Sequence, residues 1–124
     1  MKIKCGTDII EIDRIRESIE SLGNKFLQKV FTENEIKYCE SKKVQKYQHY
    51  AARFAAKEAA FKAISESLED KYELTWSDYE VLNDEIGKPC IKILGKEIKE
   101  LESIDLSISH CKQYAVATVV AVFK

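Results

Sequence analysis

Phe54-Ala55-Ala56-Lys57-Glu58-Ala59-Ala60-Phe61-Lys62 lies mid-chain and reads as part of one long helix. On a wheel of 3.6 residues per turn, Tyr50, Phe54, Phe61, Ile64 and Leu68 form a single apolar stripe. Lys57 falls inside that stripe and Glu58 at its edge. An amphipathic helix keeps ionised groups off its buried face, because burying a charge without a partner is costly. Two readings follow. Either Lys57 and Glu58 form an ion pair at a crowded interface with Lys57 snorkelling outward, or the pair borders a cleft where it does chemistry.

The elements around this helix set its context. Ile3 to Ile12 reads as a strand interrupted by Gly6-Thr7-Asp8. A helix follows from about Asp13, a candidate N-cap, to Leu22, where Gly23-Asn24 stops it. A short helix covers Lys25 to Val30. Thr32-Glu33-Asn34-Glu35 is a capping box, which starts a helix to about Ser41. The long helix spans Val44 to Leu68, and a polar loop covers Glu69 to Glu73. Asp78 to Leu82 and Cys90 to Leu94 read as strands joined by a turn containing Gly87-Lys88-Pro89. Gly95 to Leu101 reads as a short helix or turn. Asp105 to Cys111 and Tyr114 to Val122 form a second strand pair, with Lys112-Gln113 as the tight connection. Helices fill the first half and antiparallel strands the second, which is an α+β arrangement. No repeat, low-complexity tract or long linker divides residues 1–124, so they form one domain.

Composition narrows the partners. With 45% hydrophobic and 33% charged residues the chain reads as soluble and globular. A net charge of −1 supplies no global basic field, which argues against nucleic acid or an anionic membrane surface as partner. Basic residues still cluster locally, at Lys42, Lys43 and Lys46 and again at Lys57 and Lys62, enough to bind a phosphate-bearing small molecule. The longest apolar run, Tyr114 to Phe123, is too short for a membrane helix and fits a buried strand. Cys5, Cys39, Cys90 and Cys111 are scattered without zinc-ligand spacing, so reduced thiols in a cytoplasmic protein are expected. Lys2, Lys4 and Asp8 interrupt the N-terminal apolar residues, unlike the core of a secretory signal.

Three positions carry chemistry. Asp8 follows Gly6, a residue that permits an unusual backbone path or close ligand approach; a solvated aspartate capping its own turn is the plain alternative. Glu58 is a second carboxylate, and two carboxylates from separate elements can hold Mg²⁺, with waters and substrate phosphates as the other ligands. Lys57, Lys62 and Arg53 suit the phosphates, although Lys62 is also placed for an ordinary i,i+4 pair with Glu58. Ser107-Ile108-Ser109-His110 ends a strand. Ser107 and Ser109 share one face there, and Ile108 and His110 the other. No Gly-x-Ser-x-Gly elbow accompanies it, so it is no hydrolase signature, while a hydroxyl and an imidazole can both donate to phosphate. His49 has no assigned role.

Gly6-Thr7-Asp8, Phe54-x-x-Lys57-Glu58-Ala59-x-x-Lys62 and Ser107-x-Ser109-His110, in this order, resemble the signatures of the 4′-phosphopantetheinyl transferases. The resemblance runs through Asp8-Ile9-Ile10-Glu11-Ile12-Asp13-Arg14-Ile15 and Val30-Phe31-Thr32-x-x-Glu35 and covers essentially the whole chain. Chain length matches the small single-domain branch. Position 55 departs from the wider pattern, holding Ala where a small hydroxyl or thiol residue is frequent.

That resemblance implies an antiparallel sheet packed on a long central helix, in a homotrimer with active sites at subunit interfaces. It implies transfer of phosphopantetheine from coenzyme A to a serine of apo acyl carrier protein, with adenosine 3′,5′-bisphosphate leaving, in the service of fatty acid biosynthesis. Asp8 and Glu58 would hold Mg²⁺. Glu58, or a metal-bound water it orients, would take the serine proton, and Lys62 would stabilise phosphate charge. Lys57 would orient Glu58 or contact phosphate. Arg53, with Ser109 and His110 of a neighbouring subunit, would contact the nucleotide end of coenzyme A. Arg14 and Arg16 would dock the acidic carrier, although Glu17 and Glu20 can also balance them as solvated helix charges. Two other readings use the same residues: a Mg²⁺-dependent nucleotide pyrophosphatase, and a non-catalytic module that grips a phosphorylated ligand.

Overall fold

A computed structural model describes all of residues 1–124. The chain runs β1 (Lys2–Glu11), α1 (Ile12–Leu22), α2 (Asn24–Val30), α3 (Glu33–Glu40), α4 (Lys46–Ile64), β2 (Tyr79–Asn83), β3 (Pro89–Ile93), β4 (Leu101–His110) and β5 (Tyr114–Phe123). The longest strands form one antiparallel sheet in the order β1-β5-β4, and β2 with β3 forms a separate antiparallel hairpin. Helix α4 lies across the inner face of the larger sheet, packed on β1 and β5. The α+β expectation, with antiparallel strands against a long helix, therefore holds.

Helix α4 packs by its alanines. Ala51, Ala52, Ala55, Ala56, Ala59, Ala60 and Ala63 are all buried, while Phe54, Phe61 and Leu68 are only half-buried. The expected aromatic stripe is thus partly a flank: Phe54 stacks on Trp76 at 4.7 Å between ring centroids. Small side chains on α4 meet small ones on the central strand, where Ala115, Ala117 and Ala121 are buried. Close approach of two backbones is what such residues permit.

Gly6 shows how close that approach is. A Cβ at this position would lie 2.0 Å from the Ala59 carbonyl oxygen and 2.9 Å from the Ala63 nitrogen. The neighbour Gly6 accommodates is therefore helix α4 rather than a ligand. Asp8, two residues on and on the same face of the strand, is consequently carried to the last turns of α4.

Local signals explain the boundaries. The Thr32–Glu35 capping box forms as expected, and Gly23 closes α1 at φ +59° with its N–H on the Ile19 carbonyl. Helix α1 starts one residue before Asp13, which pairs with Arg16 at 2.9 Å instead of capping. The long helix is shorter than Val44 to Leu68, because single 3₁₀ turns at Lys43–Gln45 and Ser65–Ser67 take over at its ends. No helix forms between Gly95 and Leu101. Strand β4 begins at Leu101, four residues ahead of the expected Asp105, with a bulge between Leu101 and Ser103. That extra residue breaks the alternation and hides the strand's first half from a period-2 reading.

The opposite sheet face is uncovered. Ile3, Ile9, Tyr114 and Val120 are exposed on it, beside Thr7, Thr118 and Ser107.

Gly6→Ala should destabilise the fold by about 3 kcal/mol, the upper end of overpacking costs, because the obstructing atoms are backbone. Chemical denaturation measures this. A loss below about 0.5 kcal/mol would mean that β1 and α4 can separate freely.

Candidate active site

Asp8, Glu58 and Lys62 come together where β1 crosses the C-terminal half of α4. Lys62 donates from Nζ to the Thr7 carbonyl at 2.9 Å and to Asp8 Oδ1 at 3.4 Å. Glu58, one turn earlier on the same helix face, makes no ion pair with Lys62, so the ordinary i,i+4 alternative does not form. Burial raises the Glu58 carboxyl above its usual value, the nearby Asp8 charge adds to this, and Lys62 opposes it. Two carboxylates thus lie near a single lysine, which pairs with only one of them. Such a set is short of positive charge and fits a hard, oxygen-preferring dication.

Beside Glu58 opens a slot of about 240 Å³, walled by Phe61, Leu74, Trp76 and Tyr79, with Lys71 and Tyr72 at its edge. The Tyr79 hydroxyl is buried without a hydrogen-bond partner. Sequence reading gave this slot no lining, because its residues come from the segment after α4, which carries no periodic pattern.

Lys57 is not part of this group, which corrects both roles expected for it. Its Nζ is fully buried and donates to Glu35 Oε1 at 2.6 Å, to the Val30 carbonyl at 2.6 Å and to the Trp76 carbonyl at 3.1 Å. All three ammonium hydrogens are engaged, so it neither orients Glu58 nor is free for phosphate. Burial pushes the lysine pKa down, and Glu35 opposes that shift. Glu35 completes the knot by accepting from the Thr32 and Val81 backbone N–H groups at 2.9 and 2.8 Å. Sequence reading took Glu35 only as the end of a capping box; the buried lysine one motif away was the signal that it needed an internal partner.

A second cluster lies toward the other end of α4. Arg53 is buried, donates to Asn83 Oδ1 at 3.0 Å and stacks over Tyr38 at 4.2 Å. His110 projects from β4 to within 6.0 Å of His49, ring to ring. Arg53 precedes Glu58 by five residues, about 140° around the helix, so one chain turns the two clusters to different sides. Ser109 is exposed on the outer sheet face, opposite to His110, and is not brought to either cluster. Arg14 and Arg16 are exposed on α1; Arg14 pairs with Glu11 at 3.5 Å, and Arg16 with Asp13 and Glu20. At the far end of α1, Leu22 lines a separate groove with Phe26, Val30, Phe54 and Trp76, to which Lys25 and Lys29 also contribute.

Comparison with known proteins gives one family. Residues 4–119 match the sequence model of the 4′-phosphopantetheinyl transferase superfamily. The chain is 50% identical over 125 aligned positions to the holo-[acyl-carrier-protein] synthase of Ruminiclostridium cellulolyticum, covering 97% of this chain and 92% of that protein. It is 41% identical to the protein of the same name from Koribacter versatilis, covering 97% and 98%. Among solved structures, the fold resembles a holo-(acyl-carrier-protein) synthase from Bacillus anthracis in complex with coenzyme A (3′,5′-ADP), with TM-score 0.75, 36% identity and coverage of 95% and 94%. A Chronobacterium ammoniagenes synthase–coenzyme A complex gives TM-score 0.84 at 27% identity, covering 100% and 99%.

Lys57→Met should cost about 3–5 kcal/mol, because Glu35 is left charged and buried. The double variant Lys57→Met/Glu35→Gln should recover part of that loss; equilibrium unfolding compares the three proteins. Glu58→Gln tests the carboxylate crowding. A raised folded-state pKa means the folded protein binds more protons than the unfolded one between the usual carboxylate value and the raised one. Stability therefore falls as pH climbs through that window. Without divalent cations the Gln variant should melt higher than the parent at pH 7, and the difference should vanish below about pH 4.

Proposed function

As this chain belongs to the 4′-phosphopantetheinyl transferase superfamily, we propose that it transfers the 4′-phosphopantetheine group of coenzyme A to a serine of apo acyl carrier protein. The products are holo acyl carrier protein and adenosine 3′,5′-bisphosphate, and the carrier so charged serves fatty acid biosynthesis. The observation that carries this reading is the convergence of Asp8 and Lys62 on Glu58, which itself lines an apolar slot. The names of the relatives and the coenzyme A complexes among the similar structures support it.

Asp8 and Glu58 would hold Mg²⁺, which when bound offsets charge on the diphosphate under attack. Glu58, or a water that it orients, accepts the serine proton. A carboxylate raised by burial and by a neighbouring charge is a stronger base than a solvated one. Lys62, held over Asp8 and the Thr7 carbonyl, presents its charge to the bridging oxygen that leaves with the nucleotide. The slot lined by Phe61, Leu74 and Trp76 suits the arm, whose carbon chain is apolar.

Arg53 and His110 suit the nucleotide end. Because they face away from Glu58 within one chain, the site is completed by a neighbouring copy, in a homotrimer assembled through the uncovered sheet face bearing Ile3, Ile9, Tyr114 and Val120. Ser109, on that face, would join the nucleotide site from such a neighbour. Carrier docking falls to Arg14 and Arg16, aided by the groove to which Lys25 and Lys29 contribute. A cytoplasmic location agrees with four free cysteines, and no helix is long and apolar enough to cross a membrane.

Intact-mass spectrometry of apo acyl carrier protein incubated with this protein, coenzyme A and Mg²⁺ tests the reading. The expected result is a gain of one phosphopantetheine unit, lost without metal and slowed about a hundredfold or more in Glu58→Ala and Asp8→Ala. Cleavage of coenzyme A without any gain would replace transfer with hydrolysis.

A further inference from the structure

His49 stands among cationic and protonatable groups, with Arg53, Lys42 and His110 around it. Its ring meets Tyr38 edge-on at 5.5 Å and His110 at 6.0 Å. Arg53 lies one helical turn further along α4, its guanidinium 4.2 Å from the Tyr38 ring centroid, and Lys42 lies 4.8 Å from the same centroid. Three separate elements thus deliver cationic or protonatable groups to one place: the turn after α3, helix α4 and the end of β4. Glu40, at the end of α3, is engaged elsewhere, accepting from the Tyr50 hydroxyl at 2.6 Å and from Lys46 at 3.3 Å. Arg53 is only 4% exposed, yet its Nε has no partner. A buried guanidinium nitrogen without an acceptor is costly and unusual. The cluster gathers donors that suit an anion.

We propose that His49 is a phosphate-binding residue, forming with His110 a two-imidazole clasp, backed by Arg53, for a phosphate monoester of the bound nucleotide. The inference rests on the transferase reading, in which that nucleotide is the coenzyme A end bearing the 3′-phosphate, and it adds a residue outside the three signature motifs. Lys42 completes the positive surround, and Tyr38 is the flat platform against which the clasp and Arg53 are held.

Binding is coupled to a proton. In the free protein burial lowers the His49 pKa, and the charges of Arg53, Lys42 and His110 lower it further, so the imidazole is neutral at pH 7. Neutral imidazole can donate from only one nitrogen. A phosphate dianion at close range reverses the balance, because attraction to the cationic form outweighs repulsion from its neighbours. His49 therefore takes up a proton as the phosphate enters, and affinity rises as pH falls until the phosphate itself is protonated, near pH 6.

Isothermal titration with adenosine 3′,5′-bisphosphate, in buffers of different ionisation enthalpy between pH 6 and 8, reads the coupling directly. Adenosine 5′-monophosphate, which lacks the 3′-phosphate, is the comparison. The wild-type protein should take up protons on binding the bisphosphate and not on binding the monophosphate. His49→Gln should abolish most of that uptake and weaken bisphosphate binding about tenfold at pH 6.5, as for loss of a charged hydrogen bond. Its monophosphate binding and melting temperature should stay unchanged, since the ring is half-buried and bonds to nothing that would be orphaned. Equal proton uptake in wild type and His49→Gln would overturn the assignment, and so would equal uptake with both nucleotides. Transfer to carrier protein with no proton-linked binding would remove the clasp and leave the transferase. Proton-linked binding of the bisphosphate without any transfer would remove the transferase and leave the clasp.

Discussion

The contact between the Gly6 backbone and the backbone of α4 positions everything that could react. A strand and a helix normally keep side chains between them. Here one missing Cβ lets the strand reach the Ala59 carbonyl, and Ala63 admits it on the next turn. Asp8 is on the same strand face as Gly6, so closing this gap brings its carboxylate to the Lys62 ammonium and near Glu58. The carboxylate pair is therefore a product of packing between two rigid elements, with no loop to absorb an error. Sites supported in this way hold their geometry better than sites on loops. The same packing withdraws Glu58 from water, which makes its ionised form costly and its basicity higher.

A second constraint holds the other side of α4. The Lys57 ammonium is a junction for four separate segments: the end of α2 through Val30, α3 through Glu35, the turn before β2 through Trp76, and α4 itself. Glu35 extends the junction to β2 through Val81. Replacing such a knot with apolar side chains is often neutral for stability, so its value lies in specifying one arrangement. It fixes the rotation of α4, since Lys57 can reach these acceptors from only one angle. With that rotation fixed, Glu58 must face the slot, and Phe54 must lie against Trp76.

Much of this was legible beforehand because it depends on local rules. The capping box at Thr32, the glycine stop after Leu22, the hairpin ending near His110 and the placement of Lys57 on a buried face each follow from neighbouring residues alone. Asp8, Glu58 and Lys62 were legible as a set only through the order of motifs, since sequence spacing says nothing of how β1 meets α4. What escaped has a common cause. The bulge near Leu101 broke the strand's alternation, the partners of Lys57 lie 19 to 27 residues away, and the slot beside Glu58 is walled by a stretch with no regular repeat. Each is settled by tertiary contact. Ala-rich packing was also concealed, because alanine carries little weight in an apolar stripe although it decides how near a helix can come.

The layout of α4 bears on why one chain is insufficient on the transferase reading. Glu58 and Lys62 are spaced four residues apart, as are His49 and Arg53, and the helix turns the two sets toward different sides. Negative charge collects at the first pair with Asp8, and positive charge at the second with His110 and Lys42. A single ligand that needs a dication at its diphosphate and cations at its far phosphate cannot satisfy both from one rigid helix without bending around it. In the homotrimer proposed above, a second copy meeting the first would relieve this by setting the acidic pair of one against the basic cluster of the next. Separation of the clusters also keeps Arg53 from pairing with Asp8 or Glu58, which would neutralise both before any ligand arrived. Keeping opposite charges apart within the chain preserves each for the ligand, and the proposed assembly would supply the proximity that the fold withholds.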